Sequence, residues 1–138
     1  MSVERKKRIL VVDDDPVIVR AITINLHSVG YETITALDGA DGLRKVVAEK
    51  PDLVILDIMM PEIDGFEVLK VLKDNPETQH IPVIMLTAFP TDENVTRSYG
   101  LDSDCFIPKP FEPEVLLIVV QRLLTAAEED HLTHDESE

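Results

Sequence analysis

The sequence predicts an α/β fold: one doubly wound, five-stranded parallel sheet with helices on both faces. Three observations predict it. The runs ILVVD (9–13), LVILD (53–57) and VIMLT (83–87) are apolar until a polar last residue, as expected of strands buried on both faces. Segments with helical spacing of apolar residues alternate with them. Each connection leaves room for a right-handed crossover.

The elements follow in order. The first strand covers 9–13. Asp15 then offers an N-cap and Pro16 suits the first helical position. Val17, Ile18, Ala21, Ile22 and Ile24 to Leu26 form an apolar helix face, and Gly30 ends the helix. Residues 32–36 (ETITA) read as a short strand, and 40–49 as a helix carrying Leu43, Val46 and Val47. Pro51 and Asp52 punctuate before the strand 53–57. Asp64 caps a helix through about 73, with Phe66, Val68, Leu69 and Leu72 on it. Pro82 opens the strand that ends at Thr87. A weaker helix follows over about 92–99, a short strand over about 104–107, and a last helix over about 113–126.

The chain has 138 residues, 44% of them hydrophobic and only 4% aromatic, with no Trp. That suffices for one domain with an aliphatic core, expected over 1–127. Residues 128–138 hold six acids and no Lys or Arg, and are expected to be a disordered acidic tail. They contribute to a net charge of −14; the remaining body has 21 acids against 13 bases, or −8. Such a body repels phosphate backbones, so no direct nucleic-acid contact is expected. The lone Cys105 excludes an internal disulfide and reads as a small buried residue. The basic start and short apolar run are cut by Asp13–Asp14–Asp15, unlike a signal peptide. No stretch reaches the length of a membrane span. A cytoplasmic protein without membrane contact is expected. His131 and His134 lie in the polar tail and read as solvated residues rather than metal ligands.

In such a sheet the working site lies at the carboxyl ends of the strands. There the first strand presents Asp13 and Asp14, the third Asp57, the fourth Thr87, and Lys109 follows the fifth. Three carboxylates brought together resist ionisation unless a cation joins them. Hard oxygen donors in a small site suggest Mg²⁺. A carboxylate can attack phosphorus to give an acyl phosphate. Lys109 and the Thr87 hydroxyl can each meet a phosphate oxygen.

VVDDDP, PDLVILDIMMPEIDGFEVL, VIMLTA and FIPKPF resemble, in order, the four signatures of a response-regulator receiver domain. The intervals, 44 residues from Asp13 to Asp57, 30 to Thr87 and 22 to Lys109, match without a gap. The resemblance covers about 8–126. It implies the strand order 2-1-3-4-5 of chemotaxis-regulator-like folds. It implies Asp57 as phosphoacceptor, with Asp14 a direct and Asp13 a water-mediated ligand of Mg²⁺ and the backbone carbonyl of Met59 a further ligand. It implies Thr87 and Phe106 as switch residues, Lys109 as the phosphate-binding lysine, and a cis Lys109–Pro110 bond. The implied partners are a histidine kinase or histidine phosphotransfer protein as donor and a downstream protein as target. None of the four histidines sits in a kinase phosphorylation motif, so the chain is expected to be a receiver: a switch that promotes its own phosphotransfer and dephosphorylation, not an enzyme turning over a separate substrate. Residues 128–138 cannot form an output domain; a stand-alone regulator, a relay shuttle and a receiver excised from a larger protein all fit.

Three positions depart from the family pattern: Asp102 where Gly is usual, Pro108 before Lys109, and Phe106 for the commoner Tyr. A rival resemblance exists. Asp13–Asp14–Asp15–Pro16–Val17 is similar to the opening motif of haloacid-dehalogenase-type phosphatases, but that family needs further acids at a later strand end and leaves Asp57 without a role. The last helix is apolar all round. Leu116, Leu117, Val120, Leu123 and Leu124 can serve the core, which leaves Val115, Ile118, Val119 and the stem of Arg122 for a second face. With Tyr99 and Phe106 they mark a partner surface across the fourth helix, fifth strand and last helix, suited to a homodimer.

Overall fold

The structure, a computed structural model, describes residues 5–88 and 104–136, with side-chain surroundings through 129. The expected fourth helix with Tyr99, and also Asp102, lie outside the described residues. Five parallel strands form one sheet: β1 (Arg8–Val12), β2 (Glu32–Ala36), β3 (Leu53–Asp57), β4 (Val83–Thr87) and β5 (Cys105–Pro108), in the order β2-β1-β3-β4-β5. Helices α1 (Pro16–Ser28), α2 (Gly39–Glu49), α3 (Gly65–Asp74) and a C-terminal helix (Pro113–Glu136) complete the described fold.

Alternation along the strands divides the core in two. Leu10, Val12, Val54, Leu56 and Met85 face Val46 of α2 and Phe66, Leu69 and Leu72 of α3. Ile9, Val11, Ile55, Ile84 and Leu86 face Val19, Ile22 and Leu26 of α1 and Leu116, Val120 and Leu124 of the C-terminal helix. Both faces of the central strands are thus covered, which is why these strands are apolar without a break. Phe106, opposite Met85 in β5, is half-buried against the first of these cores.

Local chemistry sets the helix starts. The Asp15 carboxylate accepts from Val17 N–H at 2.9 Å, and Pro16 opens α1. The Asp64 carboxylate accepts from Glu67 N–H at 2.9 Å at the start of α3. Asp38, absent from the sequence reading, does the same for α2 through Asp41 N–H at 2.7 Å. The C-terminal helix runs past the end expected near 126. Ala126, Ala127, Glu128 and Glu129 are strong helix formers, and no Gly or Pro follows to stop them. Cys105 is half-buried, and burial pushes its thiol up from the ordinary value. Among the described residues, no helix is long and apolar enough to cross a membrane.

Candidate functional site

Register brings the polar strand ends into one row. Val12 lies beside Leu56, Asp57 beside Leu86, and Thr87 beside Pro108. The residues that follow these positions leave the sheet at the same rim. Asp13 turns the chain out of β1: its Oδ1 accepts from Asp15 N–H at 3.0 Å, while its own N–H still donates to Ala36 at 3.2 Å. Lys109 leaves β5 by donating its N–H to the Thr87 carbonyl at 2.7 Å, and its bond to Pro110 is cis, as the resemblance implies.

Carboxylate oxygens of Asp13, Asp14 and Asp57 all lie within 4.8 Å of one another. Asp13 is 1% exposed and Asp57 4%, whereas Asp14 faces solvent. The Lys109 ammonium donates to Asp13 Oδ2 at 2.8 Å and to Asp57 Oδ1 at 3.2 Å. Thr87 is fully buried at the end of β4. The Met59 side chain is 55% exposed in the loop after β3.

The electrostatics follow from this packing. Burial, with the adjacent Asp13 charge, pushes the Asp57 carboxyl up to about 6; Lys109 pulls it down and Asp14 adds a smaller upward push. Burial works to lower the Lys109 pKa, but the Asp13 and Asp57 carboxylates outweigh it and the net shift is upward. Three carboxylates against one ammonium leave two negative charges, and the donors are hard oxygens. The set therefore fits a divalent cation such as Mg²⁺.

The structure brings together four of the expected site residues, Asp13, Asp14, Asp57 and Lys109, with Thr87 on the same rim. Lys109, expected at a phosphate oxygen, pairs here with two carboxylates, which its place in the sequence does not reveal. Gly65, not among the expected site residues, donates its N–H to the Ile58 carbonyl at 2.8 Å directly beside Asp57. A Gly at the first helical position after a strong cap was the only signal of that contact.

Comparison with known proteins agrees with this geometry. The family model described as response regulator receiver domain matches residues 9–121. The chain is 41% identical to the alkaline phosphatase synthesis transcriptional regulatory protein PhoP of Bacillus subtilis, over 96% of this chain and 56% of that protein. It is 40% identical to the DNA-binding dual master transcriptional regulator RpaA of Synechocystis, over 85% of this chain and 48% of that one. It thus spans about half the length of these relatives. RpaA is named as a DNA-binding protein, which counts against the expected absence of nucleic-acid contact. A solved CheY-like receiver domain protein from Methanospirillum hungatei JF-1 superposes with a TM-score of 0.87 at 32% identity, covering 91% of this chain and 99% of that one. The strand order, the carboxylate rim and the match over 9–121 lead to one conclusion: the chain belongs to the response regulator receiver domain family.

Proposed function

We propose that Asp57 accepts a phosphoryl group from a histidine kinase or histidine phosphotransfer protein, and that the acyl phosphate switches a surface read by a downstream protein. The observation that carries this reading is the meeting of Asp13, Asp14 and Asp57 within 4.8 Å, with Lys109 bridging two of them. At neutral pH a carboxyl with a pKa near 6 is ionised and nucleophilic. An Asp57 oxygen attacks phosphorus, the donor's N–P bond breaks, and the imidazole leaves with the electron pair. Asp13 is the poorer nucleophile because both its oxygens already accept hydrogen bonds, from Asp15 N–H and Lys109. That favours Asp57 over the phosphatase-type alternative.

The carboxylates of Asp13, Asp14 and Asp57 and the backbone carbonyl of Met59 would hold Mg²⁺, with Asp13 acting through water. The ion supplies positive charge that offsets the phosphoryl oxygens. Lys109 exchanges its Asp57 contact for a phosphoryl oxygen, and the Thr87 hydroxyl donates to another. Thr87 and Phe106 then carry the change toward β5 and the C-terminal helix, where Val115, Ile118 and Val119 form a homodimer or partner face. Residues 1–127 form the receiver unit and 128–138 an acidic extension. The unit acts on the cytoplasmic side as a switch, without turnover of a separate substrate.

Labelling by acetyl phosphate in Mg²⁺ tests the assignment. Asp57→Asn is expected to abolish the added phosphate mass; labelling of that variant at the wild-type rate rules Asp57 out.

A further inference from the structure

Two glycines lie against the strand ends that carry the carboxylates. Glycine inside a helix is less favourable than alanine, so its presence there asks for a packing reason. Gly65 opens α3. A Cβ at this position would stand 2.8 Å from Ile58 Cα and would press on the Asp57 carbonyl oxygen. The contact is backbone on backbone, closed by the Gly65 N–H bond to Ile58. Gly42 sits within α2. A Cβ there would stand 3.0 and 3.1 Å from the two methyls of Val12, the residue before Asp13. One helix thus rests directly on the residue that carries the buried carboxylate, and the other on the residue that precedes its partner.

We propose that Gly65 and Gly42 are positioning residues: their bare Cα atoms let α3 and α2 set the spacing at which Asp57 and Asp13 share Lys109 and a cation. This rests on the reading of Asp57 as a Mg²⁺-dependent phosphoacceptor. The two act by different routes. A side chain at 65 meets backbone that cannot yield without moving Asp57. One at 42 meets side-chain methyls that can be removed. Misplacement of reacting groups by a fraction of an ångström costs rate even where the fold survives.

The experiment compares Gly65→Ala, Gly42→Ala, Val12→Ala, Val12→Ala/Gly42→Ala and Gly30→Ala with wild type. For each, melting temperature, the Mg²⁺ dissociation constant of the unphosphorylated protein and the rate of labelling by acetyl phosphate are measured. Gly30 has φ +95° and nothing within 4 Å of a built Cβ, so Gly30→Ala strains the chain away from the site. It is expected to lower the melting temperature and leave both site constants unchanged. Gly65→Ala is expected to weaken Mg²⁺ binding and slow labelling by about tenfold or more, and Gly42→Ala by about threefold. Val12→Ala in the Gly42→Ala background is expected to recover the site constants while lowering the melting temperature further. Folded Gly65→Ala with wild-type Mg²⁺ affinity and rate overturns the proposal. If Gly65→Ala does not fold, the Gly42 pair decides: wild-type constants in Gly42→Ala, or a loss that Val12→Ala does not repair, overturns it. A wild type that neither binds Mg²⁺ nor takes label removes the underlying reading, and the positioning role falls with it.

Discussion

Asp57 bears a charge that the metal-free fold disfavours. Its carboxyl keeps its proton to about pH 6, whereas in the unfolded chain it ionises near 3.8. The folded state therefore holds this proton more tightly. The stability it contributes is present below the unfolded value and is lost as pH rises from about 4 through 6. At pH 7.5 the ionised group destabilises the metal-free protein by about 1–3 kcal/mol. Asp57→Asn in chelator should therefore melt higher than wild type at pH 7.5, and the gap should close at pH 4; a variant that melts lower at pH 7.5 contradicts the electrostatic account. Lys109 follows the same sign in a different window: its raised pKa contributes stability that is present below the ordinary lysine value of 10.5 and is lost only as pH rises above it. Met59 supplies a second test. Its apolar side chain stands at the rim two residues beyond Asp57, where it can keep water from the phosphoryl group. Met59→Asn should shorten the lifetime of the acyl phosphate by about two- to tenfold; an equal or longer lifetime counts against it. The carboxylates were legible in the sequence because each ends an apolar run. The resting place of Lys109 was not, because only the folded chain shows that its amine meets Asp13 and Asp57 together.

At the scale of elements, periodicity and caps carried most of the prediction. Asp15–Pro16 and Asp64 marked true helix starts because their carboxylates accept backbone N–H groups there. Asp38 was missed although Asp41 stands at the spacing such a cap uses. The C-terminal helix continues past the end expected near 126 because alanine and glutamate there are good helix formers. Strand bounds shifted by one residue: β1 ends at Val12 because Asp13 turns back on Asp15 N–H. The outer face of the C-terminal helix stands much as the sequence suggested. Val115 is 47% and Ile118 48% exposed, while Leu116, Val120 and Leu124 are core. Val119 is half-buried with Leu117 and Leu123 against the second core, so it belongs only partly to the outer face. Val115→Glu/Ile118→Glu should therefore keep the wild-type melting temperature and abolish phosphorylation-dependent self-association in sedimentation. A wild type that stays monomeric at high concentration in both states excludes self-association through this face, and a variant that unfolds shows the stripe to be core.

At the scale of the molecule, the doubly wound sheet makes one rim out of residues far apart in sequence. Asp13 and Lys109 are 96 residues apart and meet at 2.8 Å. Strand order places β1 and β3 side by side with β4 next, so two acids and a hydroxyl converge, and β5 brings the lysine. The proposed function turns on which aspartate takes the phosphoryl group. The direct measurement is incubation of the wild type with acetyl phosphate, in Mg²⁺ and in chelator, followed by mapping of the modified residue by mass spectrometry. One added phosphate, on Asp57, is expected in Mg²⁺ alone; modification of Asp13, or equal modification of Asp57 in chelator, contradicts the assignment.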